Sequence, residues 1–433
     1  MTSSPTPSSP TPSRPRAEVA LPGPAWLALA LLTATGLAQA HGEASDVLPP
    51  EPGLRLDAAA AVSALHSGTP LPSQRLRGFL LQGDAGTDRN GLALEHGTVG
   101  LSGRLNEALG ASVALGKHGS DPTHIESAWV QWRHDTPTQS ADHRQWWLLT
   151  AGRQRPALGT AMGQAGHFDT FGLMPLAKQM ALNGDWIDDG LELGWRQEGP
   201  QGRFSADLGL WKARVFPGGE GAGPVPSIHL GWAQGPWAID GWAARFTPTQ
   251  RGSLVRSHIG HSHAAPECTA QLRQVVCFGG ASTVAGASAV WRGAQSALEW
   301  PLTLTASGWL RDERGSLESA NGLADYQARN RGAWVQGLWA WAPGWETGAR
   351  LERAWSTQVL QGPGATLIAK ETELAAYRPA QRAGAVLAWQ IHPKARLSAE
   401  WGREQAAGGP SERGTTSYAL LRLVVRPPTQ ARP

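Results

Sequence analysis

Residues 394–404 read Lys394-Ala395-Arg396-Leu397-Ser398-Ala399-Glu400-Trp401-Gly402-Arg403-Glu404. In an extended chain successive side chains point to opposite faces, so Leu397, Ala399 and Trp401 share one face and Arg396, Ser398, Glu400 and Gly402 the other. Further upstream, Ile187, Leu191, Leu193 and Trp195 stand against Asp188, Gly190, Glu192, Gly194 and Arg196, and Ala349 and Leu351 stand against Glu346, Arg350 and Glu352. A dry sandwich core would need a partner for every one of those charges. A strand with lipid on one face and a polar lumen on the other accommodates both sets. The pattern is that of a transmembrane β-barrel, a signal that is weak in one segment and gains force by repetition.

Working outward from these segments, strands are expected near 91–103, 109–117, 124–134, 145–154, 187–197, 202–214, 226–234, 237–247, 285–299, 302–312, 331–342, 344–356, 381–392, 394–405 and 415–426. Single-chain bacterial barrels close with an even number of strands, so one more lies upstream, at 54–65 or at 75–83. Parity forbids both. The second is preferred, which leaves 41–74 as a periplasmic or lumen-entering segment, 75–426 as the barrel and 427–433 as a tail. Short connections at 198–202, 342–344 and 392–394 alternate with long ones near 155–186, 248–284, 313–330 and 357–380, as short periplasmic turns and long extracellular loops do. The expected fold is all-β: an antiparallel transmembrane barrel of about 16 strands.

The N-terminus fits an exported protein. Arg14 and Arg16 precede an apolar run from Trp26 to Leu37 and then Ala38-Gln39-Ala40, which reads as a signal peptide over residues 1–40. The run is shorter than the roughly 20 apolar residues of a spanning helix. The expected location is the cell outer membrane, with its lipid and the barrel-assembly machinery as partners. Tryptophan occurs 21 times against 7 Phe and 3 Tyr, a usage expected of the two aromatic girdles of a membrane barrel. Loss of the signal would remove Arg14, Arg16 and Glu18 and lower the formal net charge of +3 by one. Such a balance leaves no footprint for nucleic acid.

The run Thr150-Ala151-Gly152-Arg153-Gln154-Arg155-Pro156-Ala157-Leu158-Gly159 leads through His167-Phe168-Asp169 and Met174-Pro175-Leu176 to Gly184-Asp185-Trp186-Ile187-Asp188-Asp189-Gly190. Upstream stand Phe79-Leu80-Leu81-Gln82-Gly83-Asp84 and Ile125-Glu126-Ser127-Ala128. This layout, over roughly residues 75–215, resembles a family of proteobacterial outer-membrane porin-like proteins and is loosely similar to the phosphate-selective porin group. The resemblance implies a diffusion channel for small solutes or ions and, from the class, a homotrimer.

Candidate pore-lining residues are Asp188, Glu192, Arg196, Asp207, Glu346, Arg350, Glu352, Arg396, Glu400 and Arg422. Their signs nearly balance, whereas a phosphate filter needs a one-sided ladder of cations. The 155–186 loop is long enough to fold into the lumen, where His167, Asp169 and Asp185 would form a constriction; otherwise it caps the mouth and these groups are solvated. In the 248–284 loop, Cys268 and Cys277 are expected to form a disulfide in an oxidising compartment. His258, His261 and His263 beside them offer zinc-type ligands. That loop defines the alternative function, an outer-membrane receptor or zinc-uptake barrel; the leading reading needs no cofactor. The sequence holds no G-x-S-x-G elbow and no H-E-x-x-H pair, so catalysis is not expected.

Overall fold

The computed structural model describes residues 53–68, 76, 78–81, 90–119, 122–138, 142–161, 168–254, 268, 275–293, 301–374, 379–405 and 415–426. The expected signal, the 427–433 tail, His167 and the three loop histidines His258, His261 and His263 fall outside these residues.

The strands run β1 (Gly53–Ser67), β2 (Gly91–Arg104), β3 (Leu109–Lys117), β4 (His124–Thr136), β5 (Arg144–Gln154), β6 (Asp188–Gly199), β7 (Gly202–Trp211), β8 (Val225–Gln234) and β9 (Trp237–Phe246). They continue through β10 (Arg251–Leu254), β11 (Val275–Arg292), β12 (Leu302–Ser319), β13 (Gly322–Ala342), β14 (Trp345–Gln361), β15 (Ala380–His392), β16 (Ala395–Gln405) and β17 (Thr415–Val425). Two short helices, α1 (Leu176–Leu182) and α2 (Ala365–Glu371), lie in connections. Every pairing is antiparallel, and β1 closes the sheet by pairing with both β2 and β17. β9 and β10 both pair with β11, Phe246 opposite Ser282 and Arg251 opposite Phe278, so they are two parts of one interrupted stave. The barrel is therefore sixteen-stranded. Closure leaves no unpaired edge for lipid to meet.

Three expectations need correction. The closing strand is 53–67 and not 75–83, so the barrel begins well before residue 75 and 41–74 is no separate segment. In β1 burial alternates, with Asp57, Ala59, Ala61, Ser63 and Leu65 turned inward. Phe79, Leu80 and Leu81 are instead all buried in succession, and Arg311 of β12 donates to the Leu80 carbonyl at 2.9 Å: this segment lies in the lumen. The stretch 313–330 is no loop either, because the β12–β13 ladder continues to Ser319 opposite Gly322. Likewise β11 begins at Val275, ten residues ahead of the expected 285.

The outward faces mark the membrane. On β13 they carry Val335, Trp339 and Trp341, then change to Arg331, Arg329, Gln327 and Asp325 towards the loop end; on β12 they pass from Leu304 to Asp312 and Arg314. A membrane needs only about 9–11 tilted residues per strand, so these strands project beyond it as a wall. Outward tryptophans gather near the turn ends, at Trp132, Trp147, Trp237, Trp339, Trp341, Trp345 and Trp389, with Trp345 stacked on Trp389 at 5.4 Å. Trp211, Trp242, Trp309 and Trp334 point inward and are buried, so the indole content serves the lumen as well as the belt.

The belt predicts a specific cost. Leu351, 59% exposed on the outer face of β14, replaced by Arg should lower stability by about 2–4 kcal/mol, the cost of an arginine near the bilayer midplane. Denaturant titration of the protein folded into vesicles measures it, and an unchanged midpoint would place Leu351 outside the lipid.

Candidate functional site: a loop clamped inside the barrel

The connection between β5 and β6 turns inward. Pro175 and Leu176 open α1, whose seven residues are all buried. Asn183 ends it in the left-handed conformation, its N–H donating to the Gln179 carbonyl at 2.9 Å. The helix lies against β12, β13, β14 and β15. Gly332 on β13 makes the approach possible, since a Cβ there would stand 2.5 Å from the Ala177 Cα. Around the helix, Trp186, Trp211 and Phe246 pack with Met180, Leu182 and the inward indoles of β9, β12 and β13. Trp309 meets Trp242 and Trp334 edge-on at 5.3 and 5.5 Å. This part of the lumen is an apolar core, which the polar lumen read from the strands' charged faces does not account for.

The inward charges of β14 to β17 hold the segment before the helix by its backbone. Arg396 donates to the Phe168 carbonyl at 2.7 Å and Arg422 to the Asp169 carbonyl at 2.7 Å. The Gly172 N–H donates to Glu400 at 2.7 Å. Arg350 donates to the Leu173 carbonyl at 2.6 Å and Arg382 to that of Met174 at 2.7 Å. The Leu176 N–H donates to Glu352 at 2.6 Å, filling the place of the side-chain cap that the helix lacks. The Thr170 hydroxyl joins Glu346 at 2.8 Å and Arg396 at 3.0 Å. The same groups neutralise one another: Glu352 takes Arg350 at 2.8 Å and Arg382 at 3.1 Å, Arg382 takes Glu404 at 2.8 Å, and Arg422 takes Glu95 at 2.6 Å.

On the opposite wall, Glu192 accepts the Ala157 N–H at 2.9 Å and Asp240 that of Thr160 at 2.8 Å. Within the loop, Asp185 bonds Arg155 at 2.7 Å and also pairs with Lys178. Burial pushes the Lys178 ammonium below its ordinary range, and Asp185 opposes that shift.

The candidate pore-lining residues thus divide. Glu192, Glu346, Arg350, Glu352, Arg396, Glu400 and Arg422 bind the inserted loop. Asp188 closes the β6–β7 corner by accepting the Ala213 N–H at 2.5 Å. Arg196 and Asp207 pair at 2.7 Å towards the turn end, where Asp207 also meets His229 at 2.9 Å. Of the expected constriction residues, Asp185 serves the loop's internal ion pairs and Asp169 gives its carbonyl to Arg422. Arg382, Glu404 and Asp240 belong to the clamp and were missed; their inward parity was readable, their partners were not. Cys268 and Cys277 are joined by a disulfide, Cα atoms 5.8 Å apart.

No protein-family model and no curated protein matches the sequence. Solved structures do match the fold. A loop-deletion variant of OmpT, an outer-membrane protein of Vibrio cholerae, superposes with a TM-score of 0.53 at 10% identity, covering 86% of this chain and 99% of that one. OprB of Pseudomonas putida gives 0.51 at 10%, covering 86% and 94%. The outer-membrane channel DcaP of Acinetobacter baumannii gives 0.50 at 10%, covering 86% and 96%. The chain has a porin-like β-barrel fold. Its closed sheet and apolar outer band are those of an outer-membrane barrel.

The clamp makes a graded prediction. Glu352→Ala leaves Arg350 and Arg382 with a lost counter-charge and Leu176 without an acceptor, and should cost about 3–5 kcal/mol. Glu352→Gln keeps an acceptor and should cost clearly less. Equal denaturation midpoints for both variants and the parent would show that the clamp carries no stability.

Proposed function

We propose that this protein is an outer-membrane channel for small solutes or ions, its passage narrowed by the clamped segments 155–161 and 168–186. The observation that carries this reading is the loop itself: a buried helix and its leading strand of backbone, fixed across the lumen of a closed barrel by charges from both walls. An element so placed sets the width available to a solute, and its fixed geometry keeps that width constant. The reading assigns transport and not catalysis.

Charge selectivity should be weak. The guanidinium groups of Arg350, Arg382, Arg396 and Arg422 are each engaged by carboxylates, loop carbonyls or both. A phosphate filter would need such groups turned towards the passing anion, so phosphate selectivity is not part of the proposal.

Reconstitution in planar bilayers tests it. The parent protein should give discrete conductance steps with little preference between small anions and cations. Gly332→Leu should give smaller steps, because the added side chain pushes α1 off the β13 wall and further into the lumen. A parent protein that shows no steps above the bare bilayer would overturn the reading.

A further inference from the structure

A second cluster of chemistry-bearing residues stands on the wall formed by β2, β3 and β4, near their loop ends. His96 lies on β2, His118 just past β3, and His124 and Glu126 at the start of β4. Glu126 is the residue skipped where the β3–β4 register slips between Ala114/Ser127 and Leu115/Ile125. A bulge of this kind re-aims a side chain, and here it turns the carboxylate inward over Gly116, in space that any Cβ at position 116 would fill.

Three imidazoles converge on that carboxylate. Glu126 Oε1 is 2.6 Å from Nε2 of His96, 3.4 Å from Nε2 of His118 and 4.0 Å from Nε2 of His124. One donor atom from each of His96, His118 and Glu126 lies within 4.8 Å of the others. The side chains of His96 and Glu126 are 1% and 2% exposed, whereas those of His118 and His124 are 31% and 42% exposed, so the cluster has a buried floor and an open side.

We propose that His96, His118 and Glu126 form a binding site for a divalent transition ion of the zinc type, with its open side left to solvent. An ion pair would need one imidazole against one carboxylate. Here the His96 and His118 rings stack at 4.2 Å, which brings two imidazole donors to one carboxylate. His124 lies on the open side, its ring stacked on that of His118 at 5.3 Å. Ligand atoms at about 2.0–2.1 Å from a tetrahedral ion stand roughly 3.3 Å apart. The His118–Glu126 separation already matches, and the His96–Glu126 contact opens slightly as the ion enters. Nitrogen donors with one carboxylate favour zinc or copper over calcium or magnesium.

The site reaches the inserted loop, since His96 packs on Phe168 at 5.3 Å. Its existence does not depend on the channel reading. The test is calorimetric titration of the full-length protein, folded in detergent and stripped with chelator, using zinc ion alone. One equivalent should bind at micromolar concentration or tighter, and His96→Ala/His118→Ala should abolish that heat. His118→Ala alone, at a partly exposed ring, should weaken binding by about tenfold or more. The proposal is overturned if the parent shows no saturable binding, or if His118→Ala binds as tightly as the parent.

Discussion

An ionised group buried away from water must be given hydrogen-bond partners, and in this barrel the partner is largely the backbone of one loop. The guanidiniums of Arg396, Arg422, Arg350 and Arg382 each meet a carbonyl between Phe168 and Met174, and Glu400 and Glu352 meet the N–H groups of Gly172 and Leu176. The need is mutual. A loop backbone carried into a lumen loses its water and must be paired as well. Wall and loop therefore satisfy each other, and the alternating donors and acceptors of the wall fix the loop's register.

The apolar half of the lumen follows from the same arrangement. Once the polar backbone is held by β14 to β17, the helix can turn Met180, Ala181 and Leu182 into the apolar cluster shared with Trp211, Trp242, Trp309 and Trp334. Gly332 sets how closely it packs. Lys178, the buried cation of the helix, is tolerated because Asp185 lies at its end. The lumen is thus divided between a charged clamp and an indole-rich core.

Much of the fold was legible because lipid imposes a strict period. Leu397, Ala399 and Trp401 against Arg396, Ser398 and Glu400 could be read from residues 394–404 alone, and the strand count followed from parity. The closing strand was misjudged because its outer face uses Leu54 and Leu56 and then mostly alanine, a faint lipid signal. The run Phe79-Leu80-Leu81 looked stronger, yet three successive apolar residues have no alternation and suit a segment buried on all sides. The clamp was legible only in part. Inward parity nominated most of its wall residues, but Glu352 meets Leu176 across 176 positions and Arg422 meets Asp169 across 253. No local pattern encodes such a pair. The histidine cluster was hidden in the same way, since His96, His118 and Glu126 converge only once three strands pair and one of them bulges.

The central claim is that the 168–186 segment is held inside the lumen by the wall charges. Thiol labelling measures this directly. In the folded protein, Ala181→Cys on α1, fully buried, should resist a membrane-impermeant maleimide, while Leu367→Cys on α2, 51% exposed, should react readily. Equal and rapid labelling at both positions would contradict the clamp and place the loop outside the barrel.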